Sequence, residues 1–468
     1  MRRQIELNRP SYMNTGRSED TSTERSDASC EEDQRGSDES PSDNAFGRLP
    51  IELIHAILEY ASHDKATLSA CTLVSRTWRD LSRPYLFSSL TVACQETFDD
   101  FGEFLDSHPD VARYVRRLEL RDLPGSIIHG TSRVDFTIDA LDTLRTKLPE
   151  MQVLHLRDLW FIGDQRNPSR TATPLRRRLK ELILNYCENP LLLQTLYAVF
   201  QTFPADAVCL YNLSIADIPL IRPKHSEASS AESTRLHIHS ITLDRIKTLR
   251  YPIHDVAPLY AALHQMLAPQ CLHTFRTRSG IDRRSSESLR VFGDFISETG
   301  GVALRHLAMP FVIGQAIYPS DDQPDYWRVL RLNKCPNLES FTFSIEVPLI
   351  RIRAFAIRAQ DPPRVPVSAV LVAILPHLPS ALRTLNLALY NVGVPARIQN
   401  RETMALDRLD AAIAERLPSL IKVHVVLQGR KPAEVEACVQ VVGEAMPECR
   451  RKGILDVVVK EEEEVLGL

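Results

Sequence analysis

Short apolar segments, in which apolar and polar positions alternate every two residues, recur along most of this chain and predict strands. In six places a helical stretch ends in an apolar residue followed by proline, and such a segment begins a few residues later. Proline ends a helix and biases the residue before it toward extended backbone, so the chain turns into a strand there. The six segments are residues 153–156, 208–210, 272–275, 341–343, 382–387 and 423–426, and four more without the proline are residues 118–120, 182–184, 241–243 and 307–309.

Amphipathic helices fill the intervals between these strands, with apolar residues three and four positions apart on one face. Two such stripes are Ile138, Leu141, Leu144 and Leu148, and Leu406, Leu409, Ile413 and Leu417. Successive strand centres lie about 28 to 44 residues apart, as in repeat units of one strand and one helix. Strands that alternate with helices favour a parallel sheet with the helices on its outer side. The sequence therefore predicts an α/β repeat array, with an ordinary α/β domain as the alternative.

Three short helices are predicted before this array. The apolar face of the first helix is formed by Ile54, Ile57, Leu58 and Ala61. Asp64 suits the N-cap of the second helix, and the third begins near Ser75 and is expected to end before Pro84. Residues 85–92 then predict a strand. Three short helices bury too little surface for a stable core, so we expect this module to pack on a neighbour or on a partner protein.

Length and composition narrow the classes of protein. The chain has 468 residues, 44% of them hydrophobic, and a net charge of −4, which suits two or three globular domains or one long repeat array. The longest apolar run, residues 369–375, is far shorter than the ~18 residues of a membrane span, and the N-terminus lacks the apolar core of a signal peptide. The balanced charge does not favour nucleic-acid binding. Nine scattered cysteines without a C-x-x-C pair favour reduced thiols, so we expect a cytoplasmic or nuclear protein.

Both ends of the sequence are acidic and are predicted to lie outside the folded part. Residues 1–45 hold 6 Arg against 11 Asp and Glu, together with 8 serines and few large apolar side chains. Such a segment buries too little apolar surface to offset its ordering entropy, so we expect a disordered tail. Serines beside acidic residues suit acidic-directed phosphorylation, and a purely solvating tail is the alternative. Residues 460–468 are predicted to form a short acidic C-terminal tail.

Two strings of residues in the helical module form a motif. The first is Leu49-Pro50-x-Glu52-Leu53-Ile54-x-x-Ile57-Leu58, and the second is Cys71-x-Leu73-Val74-Ser75-Arg76-x-Trp78-Arg79-x-Leu81. Together with the gap between them, these strings resemble an F-box that spans residues 46–92. The following Arg83-Pro84-Tyr85-Leu86-Phe87 is similar to the form common in fungal F-box proteins.

The resemblance implies a partner for this module. F-box helices dock on the small Skp-type adaptor of a cullin-based ubiquitin ligase, so the adaptor and, through it, cullin are the implied partners. The adaptor-facing positions of the family correspond to Leu49, Pro50, Ile54, Leu58, Leu73, Val74 and Trp78. The alternative is that these apolar residues pack inside the module. For Trp78, internal packing is at least as good an interpretation as contact with the adaptor. Leu49 and Pro50, at an exposed helix start, suit contact with a partner better.

Residues 93–459 resemble a divergent leucine-rich-repeat array, the substrate-binding part that commonly follows an F-box. The family repeat has about 20–29 residues with Asn or Cys after the strand, whereas these units are longer and mostly lack that residue. The two resemblances together imply a three-helix F-box followed by an irregular solenoid with parallel strands. Polar, proline-rich insertions separate the units, and in a solenoid they gather along one rim, where we expect substrate contacts. They are residues 163–178, 219–235, 276–287, 319–325 and 359–367.

Motifs for catalysis or cofactor binding are missing from the sequence. It has no G-x-x-x-x-G-K-[ST] or G-x-G-x-x-G loop for phosphates, no G-x-S-x-G elbow and no H-E-x-x-H. His237 and His239 lie two residues apart on a predicted strand. Without a third ligand at metal spacing, they indicate half-exposed strand residues rather than a metal site. We therefore expect no catalytic residue, no cofactor and no metal.

The sequence predicts a non-catalytic substrate-recognition subunit of a Skp–cullin–F-box ubiquitin ligase. The F-box would tether the chain to the adaptor while the array holds an unidentified target protein, with neither nucleic acid nor membrane as a partner. One alternative is an adaptor-bound interaction protein without a ligase role. Another is an enzyme whose active site lies unrecognised in the array.

Overall fold

The computed structural model of this chain combines a small helical module with one long parallel sheet and its accompanying helices. It describes residues 49–94, 98–122, 135–161, 177–185, 191–216, 235–248, 256–278, 286–312, 326–346, 367–390, 392, 395–399, 401, 404–429 and 432–460. The predicted N-terminal tail, residues 461–468 and most of the predicted insertions lie outside the described residues.

Helices and strands alternate through most of the described residues. The helices are α1 (Ile51–Tyr60), α2 (Lys65–Val74), α3 (Arg76–Leu86), α4 (Asp99–Ser107), α5 (Pro109–Ala112), α6 (Ile138–Lys147), α7 (Leu193–Thr202), α8 (Ala257–Met266), α9 (Ser286–Phe295), α10 (Val367–Ile374), α11 (Pro395–Gln399), α12 (Leu406–Arg416), α13 (Pro432–Ala445) and α14 (Pro447–Arg451). The strands are β1 (Ser89–Cys94), β2 (Arg117–Asp122), β3 (Asp135–Phe136), β4 (Val153–Arg157), β5 (Trp160–Phe161), β6 (Leu179–Asn185), β7 (Leu191–Leu192), β8 (Ala205–Tyr211), β9 (Ser214–Ala216), β10 (Ser240–Asp244), β11 (Lys247–Thr248), β12 (Thr274–Thr277), β13 (His306–Val312), β14 (Ser340–Glu346), β15 (Thr384–Tyr390), β16 (Lys422–Gln428) and β17 (Leu455–Lys460).

The helices α1, α2 and α3 pack around a small core of their own. Ile54, Leu58 and Leu68 are buried at its centre. Partly buried side chains surround them, namely Leu49, Ala61, Cys71, Trp78, Leu81, Tyr85 and Leu86. This cluster is separate from the core under the sheet. The predicted N-terminal module of three helices is confirmed.

α3 runs through Pro84 to Leu86, so the prediction that this helix ends before the proline is wrong. The carbonyl groups of the last turn of a helix have no partner within the helix. Here Lys65 Nζ, from α2, donates to the carbonyl oxygens of Tyr85 and Leu86 at 3.0 and 2.7 Å. A contact between helices thus extends α3 beyond the proline. For the same reason β1 begins at Ser89 instead of at the predicted residue 85.

Twelve strands form one parallel sheet whose order follows the chain. That order is β1-β2-β4-β6-β8-β10-β12-β13-β14-β15-β16-β17, while the short strands form a separate three-stranded sheet and a separate two-stranded sheet. Each long strand pairs with the one before it, so equivalent residues line up in rows across the sheet. Units that contact only their sequence neighbours are the defining feature of a solenoid. The predicted α/β solenoid with parallel strands is confirmed.

One row of twelve apolar side chains runs across the whole sheet on the side of the core. It consists of Leu90, Leu118, Leu154, Leu182, Val208, Ile241, Phe275, Leu307, Phe341, Leu385, Val423 and Leu455. All but the last are buried, and they join the apolar side chains of the helices in one continuous core. Side chains of a strand alternate between its two faces, so the residues beside this row lie on the opposite face. We call that opposite side the open face.

The sequence predictions and the sheet differ at three places. All ten strands predicted from alternation lie in the sheet, but β17 was missed, and it forms the edge. Arg276 was predicted to begin an insertion, yet it belongs to β12. His237 and His239 precede β10 and are not strand residues.

Candidate functional site

The helical module exposes large apolar side chains. Those on α1 are Ile51, Leu53, Ile57 and Tyr60, and those at the end of α2 are Leu73 and Val74. Tyr60 and Leu73 are the most exposed, with 92% and 85% of their surface accessible. The other large exposed hydrophobic residues in the described part of the chain, Val302, Ile421 and Val459, are far apart in the sequence. A dense group of exposed apolar residues marks an interaction surface.

The geometry of α1 explains how one helix serves both a core and a surface. Ile54 and Leu58, four residues apart, face the core of the module. Leu53, Ile57 and Tyr60 follow the i, i+4, i+7 spacing and form a second apolar stripe, which is exposed. The helix therefore carries more apolar residues than its own packing requires.

Leu73 and Val74 lie at a corner between two helices. The next residue, Ser75, has extended backbone with φ −161° and ψ 170°, and it ends α2 and begins α3. Its Oγ accepts a hydrogen bond from the Trp78 N–H at 3.3 Å. At the other end of α2, the Asp64 carboxylate accepts from the amides of Ala66 and Thr67, as the predicted N-cap. These caps fix the start of α2 and the start of α3, and Leu73 and Val74 are exposed at the corner between the two helices.

The seven residues predicted to face the adaptor fall into three groups. Pro50, Leu73 and Val74 are exposed; Leu49 and Trp78 are partly buried and touch the core of the module; Ile54 and Leu58 are buried in it, with 5% and 0% of their surface accessible. In this arrangement Ile54 and Leu58 pack the module internally. Adaptor contact by all seven residues stays a prediction, and it is most direct for the five accessible ones.

The sequence pattern gave no surface role to the second stripe of α1. Ile57 was grouped with Ile54 and Leu58 on one apolar face, whereas the structure buries Ile54 and Leu58 and exposes Ile57. Leu53 and Tyr60 were not singled out as surface residues. One signal in the sequence could have indicated this surface, namely the excess of apolar residues around α1. A helix that packs on one side only needs a single apolar stripe, so a second stripe indicates a second contact surface.

A groove of about 260 Å³ crosses the open face of the sheet. Residues from eight strands line it, from Tyr211 of β8 to Lys460 of β17. The rows of the sheet place these side chains, since register aligns Thr242, Arg276 and Ala308 on three neighbouring strands. The groove is thus built from positions far apart in the sequence.

Positive charge lies in the groove on and beside β12, the third of its eight strands. Arg276 and Arg278, two residues apart, both line it. Arg278 lies 3.9 Å from the buried carboxylate of Asp244 and 5.1 Å above the centre of the Tyr390 ring. The backbone of Arg276 pairs with both neighbouring strands, and its side chain has no hydrogen-bond or ion-pair partner within the described residues. Arg276 therefore supplies positive charge to this part of the groove.

The middle of the groove consists of neutral polar side chains. Asn386 Nδ2 donates to Ser340 Oγ and Thr342 Oγ1 at 3.0 and 2.9 Å. Because each hydroxyl already accepts one hydrogen bond there, its own O–H is available to donate. These hydroxyls line the groove, so its floor offers donors.

The far end of the groove lies on β16 and β17. Gln428 has 6% of its surface accessible, and its side-chain oxygen has no hydrogen-bond partner within the described residues. Register places Lys460 opposite Gln428. Burial lowers the pKa of His424 below its ordinary value, so this ring is neutral near pH 7. Lys460 supplies the positive charge of this end.

The titratable residues described on the open face are not arranged as in a typical active site. His155 Nδ1 lies 3.8 Å from Glu119 Oε2, and burial lowers the pKa of His155. Burial raises the pKa of the Cys209 thiol to about 11, which disfavours the reactive thiolate. Across the described residues, no three His, Cys, Asp or Glu side chains group into a metal site.

No described helix combines the length and the apolar character that a membrane span requires.

Comparison with known families identifies the helical module. The family model of the F-box-like domain matches residues 46–93, which include α1, α2 and α3. A search of curated proteins found no significant match to the chain. The chain therefore carries an F-box-like domain, which supports a Skp-type adaptor as partner and a role in ubiquitin ligase complexes.

Proposed function

We propose that this chain is a non-catalytic substrate-recognition subunit of a Skp–cullin–F-box ubiquitin ligase. Its F-box-like domain docks on a Skp-type adaptor, and the leucine-rich-repeat-like array holds a target protein. One observation carries the proposal. The F-box-like match at residues 46–93 coincides with the module that carries six of the nine large exposed hydrophobic residues in the described part of the chain.

The adaptor contacts in this proposal come from the accessible residues of the module. They are Leu49, Pro50, Leu73, Val74 and Trp78, extended by Leu53, Ile57 and Tyr60. Burying one large apolar side chain at an interface contributes about 1.5–3 kcal/mol to the binding free energy. The translational and rotational entropy that the two partners lose on association opposes this gain. A few apolar anchors at the centre of an interface therefore dominate its stability.

A short connection supports a fixed position for the bound target. α3 ends at Leu86 and β1 begins at Ser89. The amides of Arg116 and Arg117 both donate to the Ser88 carbonyl at 2.9 Å, which ties the connection to β2. A target held on the array then lies at a set place relative to the adaptor. Such tethering raises the effective concentration of a target lysine near the ubiquitin thioester.

An adaptor-bound interaction protein without a ligase role is the alternative. It needs the same F-box surface but no cullin. Recovery of cullin with the chain distinguishes the two, because only the ligase subunit requires it.

Co-purification of the full chain with a Skp-type adaptor and cullin tests the proposal. The test variant is Leu73→Ala with Val74→Ala, because alanine preserves the helix and both side chains are exposed. We expect adaptor affinity to fall by about tenfold or more, with an unchanged thermal unfolding midpoint. The matched control is Ile421→Ala, an exposed apolar residue of the array, which should leave adaptor affinity unchanged.

Each outcome of this test decides between the alternatives. Adaptor and cullin recovered with the wild-type chain support the ligase subunit. Adaptor recovered alone favours the interaction protein. A chain that recovers neither contradicts both, and a double variant that binds as wild type places the interface elsewhere.

A further inference from the structure

We propose that the groove on the open face binds an extended segment of the target protein that carries two carboxylate side chains about eight residues apart. The inference rests on the proposed function in one respect, since it takes the array as the part that holds the target. It goes further because it names the conformation, the charge and the charge spacing of the bound segment.

The dimensions of the groove fit an extended chain. Its lining spans eight strands, which at about 4.8 Å per strand corresponds to about 34 Å. A volume of about 260 Å³ spread over that length describes a narrow, shallow groove. An extended peptide rises about 3.4 Å per residue, so about ten residues fill it. A compact small molecule would occupy only a fraction of this length.

The positive charges of the groove lie on β12, the third of its eight strands, and on β17 at its far edge. At β12, Arg278 lies 3.9 Å from the Asp244 carboxylate, while the Arg276 side chain has no ion-pair partner within the described residues. At β17, Lys460 lines the groove, while the neighbouring Asp456 is held by Lys422 at 2.6 Å.

The distance between these two charges sets the spacing of the carboxylates. β12 and β17 are five strand spacings apart in the sheet, or about 24 Å. Register places Asp456 in the row of Arg276, so Lys460 lies four residues, or about 14 Å, farther along its strand. The two charges are therefore about 28 Å apart, which equals about eight residues of extended chain. An even separation also places both carboxylates on the same face of the extended segment.

Hydrogen-bond donors between these two charges favour a ligand rich in acceptors. Because Asn386 donates to Ser340 and Thr342, the hydroxyl hydrogens of both residues are available for a ligand. The carbonyl oxygens of an extended backbone are suitable acceptors. The middle of the bound segment therefore needs no charge of its own.

Gln428 is the observation that points most directly to a missing partner. A buried polar atom without a hydrogen bond costs free energy, so such atoms are rarely left unpaired. The side-chain oxygen of Gln428 is in this state within the described residues, and the side chain lines the groove beside Lys460. A backbone N–H of an extended segment would satisfy it.

The charge balance favours carboxylates over phosphates. Within the described residues, Arg276 and Lys460 each present one positive charge to the groove without an ion-pair partner, which matches the single negative charge of Asp or Glu. A phosphorylated side chain carries about −1.5 to −2 at neutral pH and is better matched by a cluster of arginines. We therefore assign Asp or Glu side chains of the target to Arg276 and to Lys460.

Fluorescence anisotropy with labelled peptides tests this proposal on the full chain bound to its adaptor. The probe is a peptide of Gly, Ser and Thr with two glutamates about eight residues apart. We expect it to bind about tenfold or more tightly than the same peptide with both glutamates replaced by glutamine, and more weakly as salt rises. A peptide with the glutamates adjacent should lose most of this advantage.

Variants of the chain locate the binding site. Arg276→Gln and Lys460→Gln should each weaken the two-glutamate peptide by about tenfold. The matched control is Arg408→Gln, because Arg408 is exposed on α12, away from the lining of the groove. It should leave peptide binding unchanged, and all three variants should bind the adaptor as wild type does.

Four results would overturn the inference. They are equal binding of the glutamine peptide, insensitivity to both groove variants, tighter binding of a phosphoserine peptide by about tenfold, and a large gain in peptide affinity on deletion of residues 461–468. The last result would make the chain's own acidic segment the occupant. Adaptor binding is measured in the same samples. A chain that binds adaptor but not the peptide therefore contradicts only this inference, and a chain that binds no adaptor contradicts the proposed function.

Discussion

Gly293 illustrates a constraint that acts at a single residue. It lies on α9, where the helix passes against the turn Tyr326–Leu330. A Cβ at this position would lie 2.9 Å from Leu330 Cα and closer still to the Val329 carbonyl oxygen. The contact involves backbone on the facing side, so it cannot be relieved by moving a side chain. Only glycine permits this close approach.

We predict that Gly293→Ala destabilises the fold by about 1–3 kcal/mol, because the added methyl group forces the two backbones apart. Gly443→Ala on α13 is the matched control, since its nearest neighbour would be Arg450 Nη1 at 3.8 Å. In a helix with open space this substitution should stabilise by about 0.5–1 kcal/mol. Urea unfolding of both variants measures the difference. Equal effects of the two substitutions would show that the backbone contact is unimportant.

At the scale of elements, α3 depends on a neighbour for its last turn. Lys65 of α2 donates to two carbonyl oxygens at the end of α3, and burial lowers the pKa of its ammonium group. The helix therefore continues past Pro84 into the connection to β1. The length of this helix sets the distance between the F-box-like module and the sheet.

We predict that Lys65→Met frays the end of α3 and destabilises the module by about 1–3 kcal/mol, because two charge-assisted hydrogen bonds are lost. Hydrogen exchange of residues 76–86 measures this directly, and protection should fall most near Leu86. Arg76→Met on the exposed start of α3 is the control and should leave exchange unchanged. Undiminished protection at Leu86 in the Lys65 variant would contradict this role of Lys65.

At the scale of the whole molecule, the open face of the sheet holds half-buried histidines on strands that are far apart, β4 and β16. Burial lowers the pKa of His155 on β4 and of His424 on β16, so both rings are neutral in the fold near pH 7. Glu119 acts in the opposite direction on His155, and Asp456 does so on His424, but burial is the larger effect in each case. In the unfolded chain both rings titrate near the ordinary value of 6.5.

We predict that the fold loses stability as the pH falls below 6.5. Below pH 6.5 the histidines of the unfolded state take up protons that the folded state binds only at lower pH. The contribution of each histidine to the free energy of unfolding is therefore complete above pH 6.5 and declines below it. Thermal unfolding at about pH 7.5 and about pH 5.5 should show the decrease. A smaller decrease is expected for His155→Gln combined with His424→Gln. An unchanged pH dependence in that variant would exclude these rings as the cause.

The sequence by itself determined the elements whose signals are local. Alternation of apolar and polar residues predicted ten strands of the sheet, because the two faces of a strand differ in burial at every second residue. Asp64 was predicted as an N-cap since capping involves only residues of the next turn. The F-box-like module followed from a motif that spans few residues. Each of these signals is complete within a short stretch of chain.

Tertiary structure alone decided features that join distant residues. Which side of α1 is buried depends on α2 and α3, so the single apolar face predicted for Ile54, Ile57 and Leu58 divides into two buried residues and the exposed Ile57. The end of α3 depends on Lys65, and the role of Arg276 depends on strands up to β17, more than 150 residues later in the chain. Register between strands brings these side chains into one groove. No local pattern specifies that register, because it results from packing of the whole row of apolar side chains beneath the sheet.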